Sequence, residues 1–454
     1  MPAIITNAFR TYNADNFISS FSTNKMYLMI GKDDAWSGAS LGQYSEASPS
    51  DTSIPVPIDT AMAPYIHHND MIAAKLINAS DVSHVVKRSD WTSGTVYAEY
   101  SHLQDDQIDQ DFFVMTDQYN VYKCISNYGG AQSTIKPTSQ SLGIFDTADN
   151  YRWKFMYEVQ QADVLKYVTT DWIPVKYLTS NDGTEQWNVQ QYAVDGGLEH
   201  IDVTNGGSGY VNTNTGTALA GSTSTTIKLA ATASVTNDIY NGMTVFISAG
   251  TGSGQIRIIT DYDGSTKAAT VSDWTANSGS TPDTTSVYEV MPAVAIATTE
   301  TPVPVPVATA RCSSVVGGVI KKIAITAGGA GTSGAYRSAT ATLTGGGGTG
   351  CVLEPRIGPK GGHGKNAKTE LGGAYVMMNV RLTGTEGGDF IVGDDFRKVI
   401  LIANPLVGGA AASATTYSGA ELDDDSGEQI YVEYRAPINR ASDQTEDVKL
   451  VVEF

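Results

Sequence analysis

Short apolar runs, separated by loops rich in glycine, serine and threonine, follow one another along most of the chain. Alternation of apolar and polar residues is typical of half-buried β-strands, and short continuous apolar runs fit fully buried strands. Strands are predicted in this way at residues 25–30, 112–115, 121–125, 151–159, 399–402, 429–434 and 447–454. The pattern therefore predicts a protein built mainly of β-sheet.

Helical spacing is confined to short stretches of the chain. Near the N-terminus, Asn13 or Asp15 can cap a helix. Such a helix would carry Phe17, Ile18 and Phe21 on one face. Glycine, serine, threonine and β-branched residues are abundant elsewhere, and all of them rank low as helix formers. We therefore expect only short helices, placed in loops.

Several connections can be predicted from the same pattern. Residues 82–100 are predicted to form a strand, a turn and a second strand, and residues 112–115 and 121–125 to form a hairpin. Residues 162–167 can form one or two helical turns. Residues 31–57 show no periodicity and are predicted to be a loop. Residues 151–159 alternate aromatic and charged side chains, which predicts a half-buried strand.

Two stretches of the chain share one pattern. Residues 196–210 and 317–336 both begin with a glycine pair and continue with alternating β-branched positions, a Gly-Gly turn and an aromatic residue. Two copies this far apart do not make a solenoid, which needs three or more adjacent repeats. The pattern predicts two related hairpins in one sheet system, with an insertion between them.

The insertion is placed at residues 211–307. It contains strand-sized runs separated by glycine or Asp-Gly turns, among them residues 225–231, 243–248, 255–260, 268–271 and 287–290. It ends in a proline-rich segment that favours an extended edge or a linker. We predict an all-β host formed by residues 1–210 and 308–454, with a compact β-barrel or small sandwich inserted at 211–307.

Composition narrows the choice of partners and compartment. The chain has 29 basic and 48 acidic residues, a formal charge of −19 and a pI near 4.6, so it should repel nucleic acid. Three widely spaced cysteines indicate a reducing compartment. The N-terminus lacks a signal-peptide pattern, and no apolar run approaches the roughly 20 residues of a membrane span. These observations predict a soluble product of the cytoplasm that binds no membrane.

A glycine motif that resembles a dinucleotide fingerprint occurs at Gly329, Gly331 and Gly334. A dinucleotide fold requires a helix after this motif, because the helix N-terminus binds the pyrophosphate. Residues 338–344 follow here, and their pattern is that of a strand. We therefore predict no cofactor at this motif.

A second glycine-rich block surrounds His363. The Gly364-Lys365 pair does not complete a phosphate-binding loop, since Pro359 and Asn366 stand where glycine and Ser or Thr are required. His363 is either a structural hydrogen-bonding residue or a catalytic base, and no nucleophile or carboxylate is tied to it in sequence. We expect the structural role, and a positive φ at Gly362 or Gly364.

The remaining candidate chemistry is sparse. The histidines show none of the spacings of a zinc site, and the calcium-loop pattern is absent. Carboxylates are numerous, but a sequence cannot select the pair that a glycosidase needs. The prediction is that the chain is not an enzyme and has no catalytic, cofactor-binding or metal-binding residues.

Ten short segments of the chain match a known family in sequence and in order, over about 350 residues. They are residues 90–97 (DWTSGTVY), 121–125 (VYKCI), 136–138 (KPT), 151–157 (YRWKFMY), 171–175 (DWIPV), 359–364 (PKGGHG), 370–372 (ELG), 375–382 (YVMMNVRL), 394–397 (DDFR) and 446–454 (EDVKLVVEF). Through these segments the chain resembles the baseplate wedge subunits of contractile-tail, T-even-like bacteriophages that form a dimer in each baseplate sector.

This resemblance implies a layered β-sandwich with helix-bearing loops, a homodimer, and contacts with other baseplate wedge proteins. It implies a virion protein of the tail baseplate, assembled in the host cytoplasm and rearranged on infection. Residues 211–307 depart from the family pattern and look like β modules carried by other phage structural proteins. An alternative is a tail-associated protein that binds or hydrolyses glycans, which the many tyrosines and carboxylates permit.

Overall fold

The computed structural model describes residues 6–31, 71–104, 110–210, 214–382, 392, 395–418, 421–423, 426–440 and 446–454. The helices are α1 (Asn7–Ser20), α2 (Gln161–Tyr167), α3 (Glu185–Tyr192) and α4 (Ala367–Glu370). The strands are β1 (Met26–Gly31), β2 (Met71–Leu76), β3 (Val82–Lys87), β4 (Phe113–Met115), β5 (Asn120–Ser126), β6 (Ile144–Asp146), β7 (Arg152–Glu158), β8 (Trp172–Pro174), β9 (Leu198–Ser208), β10 (Asn214–Thr217), β11 (Thr226–Lys228), β12 (Met243–Ala249), β13 (Ile256–Asp263), β14 (Ala268–Val271), β15 (Val287–Ala297), β16 (Thr309–Val316), β17 (Val319–Ala327), β18 (Thr340–Thr344), β19 (Thr349–Ile357), β20 (Tyr375–Leu382), β21 (Asp395–Ala403), β22 (Leu406–Val407), β23 (Ala410–Ala411), β24 (Thr416–Ser418), β25 (Glu428–Asn439) and β26 (Glu446–Glu453).

The predicted fold class is confirmed. Strands hold 44% of the residues and helices 10%, and the ladders between named strands are antiparallel. The chain divides into two compact units. Unit 1 comprises Met1–Arg88, Val159–Tyr177 and Ala367–Phe454, and unit 2 comprises Ser89–Glu158 and Leu178–Asn366. No helix in the described ranges is both long and apolar enough to cross a membrane.

Unit 1 is a two-layered sandwich. One sheet has the order β24-β2-β1-β21-β25 and the other has the order β26-β20-β3-β8. Alternate residues of β1, such as Leu28 and Ile30, share a buried core with alternate residues of β20, such as Val376 and Met378. Period-two alternation thus places one face of each strand in the common core.

Helix α1 begins earlier than predicted. Its N-cap is Thr6, whose hydroxyl accepts a hydrogen bond from the Phe9 amide at 3.3 Å, so the expected cap at Asn13 or Asp15 is wrong. Both residues lie in the middle of the helix, where Asp15 pairs with His84. The sequence showed the apolar face, which does pack on the core, but it did not show where the helix starts.

Unit 2 contains a four-stranded sheet of order β4-β5-β7-β6. The predicted hairpin is confirmed, with Phe113 opposite Lys123. The predicted strand at residues 151–159 exists as β7, but it is buried on both faces because α3 and other parts of unit 2 cover it. A second strand within residues 82–100 was expected and is wrong, since beyond β3 only the isolated pairings of Asp90 with Met115 and of Thr95 with Ser133 occur there.

Six further strands of unit 2 form a ring around one core. Their pairing order is β9-β19-β18-β15-β16-β17. Strand β17 packs beside β9, and residues at the ends of these two strands are hydrogen bonded to each other. The Leu198 amide donates to the Gly328 carbonyl at 2.8 Å, and the Tyr210 amide donates to the Gly318 carbonyl at 3.1 Å. Inward residues such as Ile201 form the shared core. We refer to these six strands as the barrel.

The two similar stretches of sequence lie in β9 and β17, both in the barrel. The Gly-Gly turn predicted in the first copy is wrong, because β9 continues through Gly206 and Gly207. Gly207 adopts φ +61°, and the pairing with β19 shifts register nearby, which keeps the strand in the sheet. A glycine pair can mark an irregular strand as well as a turn.

Residues 214–297 build a second core within unit 2. Strands β10 to β14 and the first half of β15 enclose buried apolar side chains that include Trp274, Tyr262 and Tyr288. Strand β15 then continues into the barrel, where Ala293 lies opposite Thr344 of β18. One strand therefore belongs to two cores. The loop predicted at residues 31–57 lies outside the described residues after Gly31.

Candidate functional site

Two buried lysines face each other in the four-stranded sheet. Lys123 of β5 and Lys154 of β7 are directly opposite in the ladder, and both side chains are almost completely buried. The Lys123 ammonium lies 4.1 Å from the centre of the Tyr100 ring, and the Lys154 ammonium donates to the Leu142 carbonyl. Buried lysines are rare and require partners that compensate for the lost solvation.

His363 is packed beside these lysines. Its ring meets the Tyr100 ring edge-on at 4.7 Å, and its Nε2 lies 3.5 Å from Glu199 Oε2. Burial, and then the charges of Lys123 and Lys154, hold the pKa of His363 well below its ordinary value. A fully buried neutral imidazole with internal contacts fits the structural role expected for His363. We call Lys123, Lys154, His363, Tyr100 and Glu199 the lysine-histidine cluster.

Both glycines that flank His363 have positive φ, which confirms the expectation from sequence. Gly362 adopts φ +94° and Gly364 adopts φ +84°. A Cβ at Gly362 would lie within 3.0 Å of the Val194 backbone, and a Cβ at Gly364 would lie 2.5 Å from Val189 Cγ1. The loop therefore needs glycine for its backbone conformation and for the space around it.

Three of the segments that carry the family resemblance meet in this cluster. Residues 121–125 contribute Lys123, residues 151–157 contribute Lys154, and residues 359–364 contribute His363. They are far apart in sequence, so only the fold brings them together.

The dinucleotide-like motif serves packing. Strand β18 follows it, as predicted, where a dinucleotide fold would need a helix. A Cβ at Gly329 would lie 2.6 Å from the Ala308 nitrogen, and one at Gly334 would lie 3.1 Å from Pro304 Cα. Lys365, the residue that mimics a phosphate-binding lysine, donates to the Gln190 carbonyl at 3.3 Å.

A second charged group lies on the outer face of the barrel. We call it the Arg356 cluster, and its members are joined by hydrogen bonds or ion pairs to Arg356 or to His200. They are Glu99, Ser101, Arg152, His200, Asp202, Glu354 and Arg356. None of these residues was predicted from the sequence as part of a cluster. Its one local signal is the pair His200 and Asp202, two positions apart on a predicted strand and hence on one face.

Arg356 and Asp202 form the central ion pair. Nε and Nη2 of Arg356 lie 2.8 and 2.7 Å from Asp202 Oδ2. Nη1 donates to the Ser101 hydroxyl at 3.0 Å and lies 3.3 Å from Glu354, while Nη2 lies 3.4 Å from Glu99. The guanidinium is therefore held by protein groups on several sides.

The tautomer of His200 follows from its neighbours. Arg152 Nη1 lies 3.2 Å from His200 Nδ1, and because arginine can only donate, Nδ1 accepts. The hydrogen on Nε2 is then donated to Asp202 Oδ1 at 2.8 Å. Burial lowers the pKa of His200, although the contact with Asp202 opposes the shift. His200 is thus a neutral donor to Asp202 at neutral pH.

The carboxyl groups of Glu99 and Asp202 share a hydrogen bond. Burial, together with the hydrogen bond and charge of Asp202, raises the pKa of Glu99 to about 7. Burial also works to raise the pKa of Asp202, but the contacts with His200, Glu99 and Arg356 outweigh it and hold that pKa well below its ordinary value. Below about pH 7, Glu99 therefore carries the shared proton.

An open cleft of about 570 Å³ lies beside the Arg356 cluster. Its lining includes Tyr128 and Asn150, which both hold a left-handed backbone at φ 55° and 67°. Glu99 and Asp202 also line it, but a hydrogen-bonded pair is closer than the roughly 5–9.5 Å that separates glycosidase carboxyl groups. The pair can hold or release one proton at the cleft.

The remaining candidate chemistry concerns metal ligands and thiols. Within the described residues, no three His, Cys, Asp or Glu side chains are grouped so that they could hold a metal ion. Burial raises the pKa of Cys124 well above its ordinary value and that of Cys312 to about 11. These thiols stay protonated near neutral pH, and a protonated thiol is a poor nucleophile.

Comparison with known proteins leaves the family open. No family model matches the chain, and no curated protein sequence matches it.

Proposed function

We propose that the chain is a structural subunit of a phage tail baseplate wedge. It joins neighbouring baseplate proteins, contributes to baseplate assembly, and takes part in the rearrangement on infection. The observation that carries the proposal is the ordered series of segments that resemble baseplate wedge subunits. The antiparallel β-sandwich of unit 1 agrees with the fold that this resemblance implies.

The lysine-histidine cluster adds a physical argument to the proposal. Three of the resembling segments contribute side chains to one buried cluster around Lys123, Lys154 and His363. Buried charged residues depend on their partners, so these segments are coupled through the fold. Each of the three segments has to keep a side chain that fits this buried cluster. This common constraint is a physical reason why all three resemble segments of one family.

The decisive experiment is made on the phage that encodes the chain. A nonsense mutation in its gene should yield particles whose tails lack complete baseplates under the electron microscope. Supplying the full-length chain in trans should restore them, and a cryo-EM map of the restored tail should place the chain in the baseplate ring. Normal baseplates in the mutant, or density for the chain elsewhere in the particle, would contradict the proposal.

The proposed homodimer is tested on the isolated chain. One chain has a mass of 48.1 kDa, so light scattering at micromolar concentration should give about twice that mass. A monomer mass throughout the concentration series would count against the dimer while leaving the baseplate location open.

The alternative is a tail protein that binds or hydrolyses glycans. The cleft beside the Arg356 cluster favours it, since exposed Tyr128 at its rim could stack on a sugar ring. Purified chain is incubated with host surface polysaccharide, and bound glycan and released reducing ends are measured. Tyr128→Ala should abolish either signal if the alternative holds. Tyr119→Ala is the matched control, because Tyr119 is also exposed and has φ 60°.

A further inference from the structure

A groove of about 680 Å³ in unit 1 lies where β20 extends beyond the end of β3. Strand β3 pairs with β20 only from Tyr375 to Met378, while β26 pairs with it as far as Leu382. Within the described part of the chain, residues 379–382 thus have a neighbouring strand on one side only. Asn379, Val380 and Arg381 from this stretch line the groove.

The groove beside residues 379–382 arises from the local sequence before β3. Before β3 the chain turns away from β20 in a 3-10 turn, Ala79–Asp81. The turn is held by Asp81, whose Oδ2 accepts from the Asn78 backbone amide at 3.2 Å and from the Asn78 side chain at 3.1 Å. Lys75 Nζ donates to the Arg381 carbonyl at 2.6 Å, in place of the backbone amide of a neighbouring strand.

Asn379 lacks hydrogen bonds that a ligand could supply. Its side chain is only 9% exposed, and its Oδ1 has no hydrogen-bond partner among the described residues. A buried polar atom left in this state costs about 1–3 kcal/mol. A carboxamide offers one acceptor and two donors, and a peptide group offers the complementary donor and acceptor. The backbone of an extended peptide would therefore satisfy Asn379.

The rest of the lining specifies the side chains of such a peptide. Leu165 of α2 is 70% exposed, although it borders the groove beside Leu76. Three basic residues and one carboxylate line the groove, in a chain whose formal charge is −19. The basic residues are Lys75, Lys166 and Arg381, and the carboxylate is Asp81. Lys166 lies 3.0 Å from Asp81, and Arg381 lies 2.8 Å from Asp447 beside the groove, so these five side chains carry one net positive charge. The groove thus suits apolar side chains that alternate with acidic ones.

We propose that this groove binds an extended acidic and apolar peptide segment of another protein. The segment lies beside residues 379–382 of β20, on the side where β3 has already ended. Its backbone hydrogen bonds to the carboxamide of Asn379. Strand addition of this kind takes its affinity from main-chain hydrogen bonds and its specificity from side-chain pockets. The groove would bind such a segment whether or not the chain belongs to a baseplate.

The test uses the full-length chain and two fluorescein-labelled hexapeptides, one alternating glutamate with valine and the other alternating lysine with valine. Fluorescence polarisation should show binding of the acidic peptide and at least tenfold weaker binding of the basic peptide. Leu165→Glu should weaken binding of the acidic peptide about tenfold or more, because it replaces apolar contact with like charge. Asn379→Leu should weaken it by a similar factor through the lost hydrogen bonds.

The matched control is Leu103→Glu, since Leu103 is a leucine of unit 2 that is 64% exposed. It should bind the acidic peptide as the wild type does. The proposal is overturned if neither peptide binds, if both bind equally, or if Leu165→Glu and Asn379→Leu bind like the wild type. It is also overturned if Leu165→Glu lowers the oligomeric mass without changing peptide binding, because the groove would then be a contact between copies of the chain.

Discussion

At the scale of single residues, the glycines around His363 show how a loop can be specified by steric exclusion. Gly362 and Gly364 hold positive φ, and neighbouring atoms fill the space that a Cβ would need. The buried side chain between them is thereby aimed at Tyr100 and Glu199. The sequence pattern predicted the backbone conformation, because alternate glycines in a loop indicate it, but it did not show what the loop packs against.

Gly362→Ala should destabilise unit 2 by about 3 kcal/mol, from roughly 1–2 kcal/mol of left-handed backbone cost and a similar steric cost. The matched control is Gly94→Ala, at φ +88° with no atom within 4 Å of the added Cβ. It should show the backbone cost alone. Chemical denaturation of both variants measures the difference, and equal losses would refute the packing account of this loop.

The pair of Glu99 and Asp202 should make stability depend on pH. The folded pKa of Glu99 is about 7 and its ordinary pKa is 4.5. Its stabilising contribution is fully present below pH 4.5 and is lost as the pH rises through 7, because the unfolded chain releases the proton first. Glu99→Gln mimics the protonated carboxyl, so its melting temperature should rise relative to wild type across this window.

The lowered pKa of His200 has the opposite effect and makes stability rise with pH over part of the same range. Because His200 is present in both the wild type and Glu99→Gln, the difference between these two proteins isolates the effect of Glu99. Melting curves of wild type and Glu99→Gln are recorded at steps from pH 4.5 to 8. A constant difference between them at every pH would show that Glu99 does not carry the shared proton.

At the scale of elements, the two similar stretches pack against each other reciprocally. The Tyr210 amide donates to Gly318 of the second copy, and the Tyr336 amide donates to Gly196 of the first at 3.0 Å. A Cβ at Gly206 would lie within 3.0 Å of the Ile320 carbonyl, and a Cβ at Gly328 would lie 3.0 Å from the Leu198 carbonyl. Each copy keeps glycines where the backbone of the other approaches.

Gly206→Ala should therefore destabilise the barrel by about 1–3 kcal/mol, although the φ of Gly206 permits alanine. Gly197→Ala is the matched control. Gly197 also lacks a positive φ, and its nearest atom would be 3.7 Å from the added Cβ. That variant should be neutral or slightly stabilised. If urea denaturation ranks the two variants equally, the reciprocal packing does not constrain these positions.

At the scale of the whole molecule, β15 determines which residues of the predicted insertion can be deleted without disrupting the barrel. The predicted insertion, residues 211–307, contains all of β15, yet Ala293–Ala297 pair with Thr344–Thr340 of the barrel. Near the other end of β15, Thr217 lies opposite Val287. Residues 218–286 are thus a segment whose two flanking residues already face each other in a ladder.

Replacing residues 218–286 with an Asn-Gly turn should leave unit 2 folded, since that dipeptide closes a two-residue hairpin. The variant also carries Tyr288→Thr and Val290→Thr, because these side chains lose the core of the module. Deleting residues 211–307 should instead prevent folding of the barrel, which loses a strand. Cooperative thermal unfolding by near-UV circular dichroism distinguishes the two, and equal behaviour would show that β15 is dispensable.

The sequence by itself determined the class of fold and most of the strands. Alternation of apolar and polar residues is a local property, so β5, β14 and β26 are recognisable without knowledge of their partners. Glycines likewise showed where the backbone departs from regular geometry. The start of α1 was harder to predict from the sequence. Its cap depends on a single hydrogen bond to Thr6, and several other residues nearby could also cap a helix.

Only the tertiary structure decided which residues meet. Arg356 reaches Asp202 and Glu99 across more than 150 positions of sequence, and Lys123 reaches His363 across more than 200. Tertiary structure also decided whether a glycine pair ends a strand, as after β17, or continues it, as at Gly206 in β9. The physical reason is that burial, charge compensation and steric exclusion depend on neighbours in space, which a local pattern along the chain does not contain.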